Sequence, residues 1–181
     1  MASDNLITPN GIKRIQDEME WLRSRERPRV VAEVSYAASM GDRSENAEYI
    51  YGKKRLREID SRLNYLVTNL DRIVIVDPAK IPGARVGFGA TVVVSGEDGV
   101  EKTWRLYGEQ EVDVGKGVLS HKSPLARALY GREAGDSVRY ETPGGVRELE
   151  IIDVRYEPQI PDPEAAWRTA PDKDVPEHLK P

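Results

Sequence analysis

The chain has 181 residues, of which 39% are hydrophobic and 32% are charged, a composition too apolar for a disordered polyampholyte. It contains no cysteine, which excludes a disulfide scaffold, a thiolate metal site and a cysteine nucleophile. No apolar run is long enough to span a membrane, and the N-terminus lacks a basic segment followed by an apolar one. The expected compartment is therefore the cytoplasm.

The formal net charge of −4 is distributed unevenly along the chain. Residues 1–77 carry 13 basic and 13 acidic residues, whereas residues 78–181 carry 14 basic and 18 acidic residues. Only three of the 15 glycines lie before residue 78. Because glycine marks turns and weakens helices, the first part favours long helices and the second favours short strands and turns.

A first helix is predicted to begin at Pro9, with Thr8 as its N-cap. Its apolar residues recur at heptad spacing: Ile12, Ile15, Met19 and Leu22. Pro28 interrupts this pattern, and because a proline inside a helix costs about 3 kcal/mol, a kink or a change of register is expected there. The helix is expected to end at Gly41.

A second helix is predicted from about Glu45 to about Leu70. Its apolar residues again step by three and four: Leu56, Ile59, Leu63, Leu66 and Leu70. Because the connecting segment Met40–Ser44 is short, the two helices are expected to pack antiparallel along their apolar seams. At about 1.5 Å per residue, arms of about 30 residues make a hairpin about 45 Å long.

The pattern then changes to strands. Thr91–Val94 is a β-branched run, and the turn residues Thr142–Gly145 separate two segments that are expected to form a hairpin. Between these strands, Ser123 and Pro124 are predicted to begin a short helix, as its N-cap and first residue. Residues 158–181 hold half of the twelve prolines and are expected to form a flexible tail.

Two carboxylates, Asp42 and Glu45, lie three residues apart at the predicted tip of the hairpin. This spacing at a helix start is typical of a capping box, in which both side chains bond to backbone amides. Alternatively, the exposed pair holds a divalent cation or orients a water molecule. Because Mg²⁺ prefers six oxygen ligands, the others would have to come from a partner or a substrate.

A basic band follows the tip on the second helix: Lys53, Lys54, Arg55, Arg57 and Arg62. A solvated helix face with ion pairs to neighbouring acids is one explanation of these charges. Contact with nucleic-acid phosphates is the other, with Tyr49 and Tyr51 available to stack on bases.

The tip segment Gly-Asp-Arg-Ser-Glu-Asn-Ala-Glu-Tyr at residues 41–49 and the run Lys-Lys-Arg-Leu-Arg-Glu-Ile-Asp at residues 53–60 closely resemble the bacterial Gre transcript-cleavage factors, in particular the GreB branch. Residues 123–129 and the Thr-Pro-Gly-Gly turn at residues 142–145 are similar to the C-terminal domain of that family. The resemblance covers roughly residues 5–157.

The residue patterns predict an α+β protein, with a long antiparallel coiled-coil hairpin in residues 1–77. The resemblance implies that residues 78–157 form an FKBP-like antiparallel β-sheet domain with a short helix. The Pro-rich tail of residues 158–181 follows. The resemblance implies that the C-terminal domain docks at the rim of the secondary channel of RNA polymerase while the hairpin enters the channel. No membrane partner is expected, and the free protein is expected to be a monomer.

The resemblance also implies an activity and its residues. Asp42 and Glu45 match the catalytic tip acids, which share a second Mg²⁺ with the polymerase active centre and position the attacking water. Backtracked nascent RNA is then cut endonucleolytically by the polymerase, so this chain is not an enzyme on its own and holds no metal alone. Ser44 is expected to support the tip, and Ser123 and Pro124 to face the polymerase. A basic patch is expected to face the RNA 3′ segment: Lys53, Lys54, Arg55 and Arg57.

The sequence also leaves three alternative functions open. A channel-binding inhibitor would share the architecture but would need a different acidic tip. A prolyl isomerase or chaperone would use the sheet domain, although the single phenylalanine, Phe88, disfavours an aromatic-lined proline pocket. A coiled-coil dimerisation module would pair two copies, but the short turn at Gly41 lets the seam close on itself.

Overall fold

The computed structural model describes residues 5–41 and 45–160. In chain order these residues form β1 (Asn5–Ile7), α1 (Pro9–Trp21), a π-helical turn (Leu22–Glu26), α2 (Arg27–Ser39), α3 (Ala47–Leu70), β2 (Ile73–Ile75), β3 (Thr91–Gly96), β4 (Glu101–Tyr107), β5 (Val118–Ser120), α4 (Pro124–Leu129), β6 (Ser137–Thr142) and β7 (Gly145–Arg155). No helix in these two ranges is long and apolar enough to cross a membrane.

The described residues group into two compact units. The helical unit contains residues 13–41 and 45–71, and the sheet unit contains residues 5–12 and 72–160. Both the first strand and the segment after α3 therefore group with the sheet unit. These two short strands pair with each other as a separate parallel two-stranded sheet, with Asn5 opposite Ile73 and Ile7 opposite Ile75.

The helical unit is the predicted antiparallel hairpin. Its first arm consists of α1, the π-helical turn and α2, and its second arm is α3. The seam between the arms is lined by buried apolar side chains: Ile15, Met19, Leu22, Val30, Ala37, Ile59 and Leu66. Ion pairs join the arms, with Glu18 bound to Arg62 near the base and, closer to the tip, Glu26 to Arg55 and Arg27 to Asp60.

The change of register predicted at Pro28 is the π-helical turn. Proline lacks an N–H, and its ring clashes with the carbonyl four residues earlier in an α-helix. In the π-helical turn the amide of Arg27 donates to the carbonyl of Leu22, five residues back, so the turn holds one extra residue. A strict heptad after Leu22 would place Arg29 in the seam, whereas the structure buries Val30, which is 1% exposed.

Gly52 allows the two arms to approach closely near the tip. It is buried in the seam of α3, and a β-carbon added to it would lie 2.5 Å from Val34 Cγ2. This distance is far shorter than a carbon–carbon contact, so a larger residue would push the arms apart. Close packing offsets the cost of about 1 kcal/mol that glycine carries in a helix interior.

The sheet unit is built on a five-stranded sheet with the order β5-β4-β3-β7-β6. The predicted hairpin of β6 and β7 is confirmed, and α4 buries Leu125 and Leu129 in the core of this unit. The predicted antiparallel sheet is confirmed for β3, β4, β6 and β7, and at one edge β5 adds a parallel pairing with β4. Two short 3₁₀ turns, Glu109–Glu111 and Val114–Lys116, carry the chain back before β5 begins.

A buried carboxylate fixes the start of α1 within the sheet unit. Glu111 is 6% exposed and accepts hydrogen bonds from the amides of Thr8 (3.1 Å) and Gly108 (2.9 Å) and from the hydroxyl of Thr8. Thr8 Oγ1 also accepts the amide of Gly11 at 3.1 Å, which confirms Thr8 as the N-cap of α1. Every oxygen of this cluster therefore has a hydrogen-bond partner, as burial demands.

Candidate functional site at the hairpin tip

The tip of the hairpin lies between the end of α2 at Ser39 and the start of α3 at Ala47. Gly41 has φ = 141°, a conformation that favours glycine and turns the chain sharply after α2. Two of the predicted tip residues, Asp42 and Ser44, lie outside the described residues. Glu45 is described, and its side chain is exposed to solvent.

The N-cap of α3 is Asn46 rather than a residue of the predicted capping box. Asn46 Oδ1 accepts the amide of Tyr49 at 3.1 Å, and its backbone carbonyl accepts the amide of Ile50 at 3.1 Å. Glu45 therefore precedes the cap and cannot be the third residue of the helix, as a capping box requires. The capping-box interpretation of Asp42 and Glu45 is wrong because Asn46 already provides this cap.

The same asparagine joins both arms of the hairpin. Asn46 Nδ2 donates to the carbonyl oxygen of Ala37 at 2.7 Å, and that oxygen also accepts the amide of Met40 at 3.2 Å. Carbonyls in the last turn of a helix lack an intrahelical partner. Asn46 supplies a partner to the end of α2 while capping the start of α3, and no pattern in the sequence distinguishes it as a bridge.

The exposed carboxylate of Glu45 can supply oxygen ligands to a cation. In residues 5–41 and 45–160, no group of three or more histidine, aspartate or glutamate side chains could hold a metal ion. Carboxylate oxygens are the ligands that Mg²⁺ prefers, and one or two of them complete a site only when a partner or substrate provides the others. The positive end of the α3 dipole lies immediately after Glu45 and favours negative charge there.

The predicted basic patch contains three exposed residues and one that forms ion pairs within the protein. Lys53, Lys54 and Arg57 are exposed and form no ion pair with another described residue. Arg55 instead contacts Glu26 across the seam, with Nη2 3.2 Å and Nε 3.3 Å from Oε1, and Glu58 on its own helix at 3.4 Å. The structure therefore leaves three of the four predicted cations open to a ligand.

A shallow groove continues this basic surface away from the tip, lined by Lys54, Arg57, Glu58, Ser61, Arg62 and Tyr65. Arg62 binds Glu18 with both Nε and Nη2, at 2.7 and 2.9 Å, and its guanidinium lies 5.5 Å from the centre of the Tyr65 ring. Hydrogen bonding to Glu18 raises the pKa of Arg62. Basic and aromatic groups in such a groove are suited to a phosphate backbone and to bases.

Ser123 and Pro124 belong to the sheet unit, whereas the other described candidate residues belong to the helical unit. Ser123 Oγ accepts the amide of Ala126 at 3.2 Å, and Pro124 is the exposed first residue of α4. The predicted N-cap and helix start are therefore confirmed. Lys122, which precedes them, pairs with Glu109 at 3.0 Å.

Both units of the chain match known protein families. Residues 5–75 match the family model described as the N-terminal domain of transcription elongation factors, and residues 81–156 match the one described as the C-terminal domain of GreA/GreB. The transcription elongation factor GreB of Yersinia pestis is 47% identical over 158 residues, which cover 87% of this chain and 92% of that protein.

Two further relatives have similar coverage. GreB of Pasteurella multocida is 46% identical over 157 residues, covering 87% of this chain and 99% of that protein. GreA of Jannaschia sp. is 43% identical over 151 residues, covering 83% of this chain and 96% of that protein.

Proposed function

Because this chain belongs to the GreA/GreB family of transcription elongation factors and is similar to its GreB members, we propose that it stimulates the cleavage of backtracked nascent RNA by RNA polymerase. It is a transcription elongation factor that acts on RNA polymerase. The observation that carries the finer proposal is the exposed carboxylate of Glu45, which the Asn46 cap leaves free of a structural role in α3.

We propose that the helical hairpin enters the secondary channel of the polymerase and presents its tip to the active centre. The 24 residues of α3 span about 36 Å at about 1.5 Å per residue, a length that suits reaching a buried centre from the surface. The N-terminal end of α4, with Ser123 and Pro124, is the proposed docking region at the rim of the channel.

Glu45 and Asp42 are the proposed catalytic residues, Asp42 by its position in the sequence. Their carboxylates fit an Mg²⁺ ion that the polymerase also ligates, because two acids provide oxygen donors but too few for a complete site. An ion held there would polarise the phosphoryl group and activate a water molecule. The two acids would orient that water toward the scissile phosphate, and Ser44, by its position in the sequence, is the proposed support of the tip. The chain therefore activates the polymerase's own nuclease rather than acting as an enzyme alone.

The exposed cations of α3 are proposed to hold the RNA 3′ segment extruded by backtracking. Lys53, Lys54 and Arg57 can contact its phosphates. Arg55 is left out of this role because its guanidinium contacts Glu26 in the seam. A rescue of arrested complexes would follow, since cleavage creates a new 3′ end that can be extended.

The experiment is the addition of the protein to a backtracked elongation complex with labelled RNA and Mg²⁺. Glu45→Ala is expected to reduce the cleavage rate by at least about tenfold while leaving polymerase affinity unchanged. Glu20→Ala is the matched control, because Glu20 is an exposed acid on α1 and is expected to have no effect. Cleavage at the wild-type rate by both Asp42→Ala and Glu45→Ala would contradict the proposal, and binding without any cleavage by the wild-type protein would favour a channel-binding inhibitor.

A further inference from the structure

The side chain of Asn46 links the two arms of the hairpin near its tip. Asn46 is half-buried and uses its amide group in two directions: Nδ2 donates to Ala37 in α2, and Oδ1 accepts Tyr49 in α3. The first hydrogen bond joins two residues nine positions apart in sequence, one on each arm. Glu45 is the residue immediately before Asn46.

The two hydrogen bonds serve different purposes. The bond to Tyr49 is an ordinary helix cap, which serine or aspartate would provide equally well. The bond to Ala37 is not needed to begin α3, and it requires an N–H donor at the end of a side chain of this length. Ala37 is 1% exposed, so the position of its carbonyl is set by the packed seam. Through this bond the residue after Glu45 is fixed to a rigid part of α2.

We infer that Asn46 is a positioning residue for transcript cleavage, which holds the backbone of Glu45 through its bridge from α3 to the Ala37 carbonyl. The inference rests on the proposed function of Glu45. A catalytic carboxylate must stay within a fraction of an ångström of its productive position, and small displacements cost large factors in rate. Without the bridge, the backbone next to Glu45 would be held by the cap on α3 but not by α2, and Glu45 would sample positions that do not reach the metal or the water.

Asn46→Ser and Asn46→Asp separate the bridge from the cap. Both variants keep an oxygen that accepts the Tyr49 amide. Serine has its hydroxyl one bond closer to the backbone, and aspartate has no N–H to donate to Ala37. Ser39→Ala is the matched control, because it removes a hydrogen bond of 2.6 Å from Ser39 Oγ to the Tyr36 carbonyl at the same end of α2 without affecting the link to α3.

The measurement is the rate of Mg²⁺-dependent cleavage of backtracked RNA as a function of factor concentration, with thermal unfolding of each variant. We expect both Asn46 variants to lose about tenfold in the maximal rate at saturating factor, with an unchanged half-saturating concentration and near wild-type unfolding temperatures. Ser39→Ala is expected to behave as the wild-type protein.

The outcomes distinguish this inference from the proposed function. If Glu45→Ala loses cleavage and both Asn46 variants keep the wild-type maximal rate, the positioning role is overturned and the function of Glu45 stands. If the Asn46 variants lose only polymerase affinity, or if Ser39→Ala loses as much rate as they do, the positioning role is also overturned. If Glu45→Ala cleaves normally, both ideas fail together.

Discussion

Glu26 contacts Arg55 across the hairpin seam, with its Oε1 3.2 Å from Nη2 of the arginine. The same carboxylate, which is 6% exposed, pairs with Arg29 at 3.0 Å. One buried acid at the end of the π-helical turn therefore interacts with an arginine from each arm. This contact also explains why one cation of the predicted basic patch is engaged within the protein.

We expect Glu26→Ala to lower the free energy of unfolding by about 1–3 kcal/mol, because charged hydrogen bonds to two arginines are lost from a buried position. Both guanidiniums keep partial access to water, which limits the cost. Glu58→Ala is the control, since Glu58 is an exposed partner of Arg55 on the same helix, and an effect below about 0.5 kcal/mol is expected. Urea denaturation measures both values, and equal losses would contradict a special role for Glu26.

Thr8→Val is expected to destabilise the sheet unit by about 2–4 kcal/mol, because it removes an N-cap and leaves Glu111 without its hydroxyl donor. Thr8→Ser keeps the hydroxyl and loses only a methyl group, so a loss of at most about 1 kcal/mol is expected. Chemical denaturation of the two variants provides the comparison. A serine variant as unstable as the valine variant would show that packing, rather than hydrogen bonding to Glu111, matters at this position.

Lys54→Glu is expected to slow cleavage of RNA backtracked by many nucleotides roughly tenfold, since a long 3′ segment places phosphates along α3. A complex backtracked by two nucleotides should be affected much less, because its RNA ends near the tip. Lys13→Glu reverses an exposed charge on α1 that pairs with Asp17 and serves as the control. Equal losses on the two RNA substrates would remove Lys54 from the RNA-contacting patch.

The free energy of unfolding should fall at acid pH partly through His121. Burial lowers the pKa of His121, and the nearby charge of Lys122 lowers it further, while its ring packs edge-on against Phe88 with 5.3 Å between ring centres. Because the unfolded chain binds this proton more readily, the contribution is complete above about pH 6.5 and is lost as the pH falls through the lowered folded pKa.

Urea denaturation of wild type and His121→Gln between about pH 7.5 and about pH 5.5 tests this contribution. The variant is expected to lose less stability than the wild type over that range. Parallel pH curves for the two proteins would show that the protonation of His121 does not affect stability.

The hairpin could be predicted because its signal is local and repeated. Ile59 and Leu66 lie one heptad apart and are both buried, so a regular spacing identifies the buried face without any knowledge of the partner helix. The position of the one-residue shift, next to Pro28, could be predicted because a proline inside an α-helix loses a hydrogen bond and clashes with the carbonyl four residues earlier. Its form, a π-helical turn ending at Glu26, depends on how the seam repacks and is not visible in the residue pattern.

Contacts between distant residues were not predictable from the same pattern. The pairing of β1 with β2 involves three residues in each strand, too few for a periodic signal. Glu111 resembles an ordinary turn residue in sequence, and only its contact with Thr8, 103 positions away, explains its burial. At the tip, the spacing of Asp42 and Glu45 matched a capping box, but Asn46 caps α3 instead, because its Oδ1 accepts the amide of Tyr49.

The π-helical turn also restricts how the length of this hairpin can change. Leu22 and Val30, on either side of the turn, are both buried in the seam only because one extra residue keeps the two halves of the first arm in phase. One further insertion or deletion would rotate everything beyond it by about 100° around the helix axis. Changes of length that preserve the seam must add or remove about seven residues in both arms together, in steps of about 10.5 Å. The distance between the base and the tip is therefore adjustable only in discrete increments.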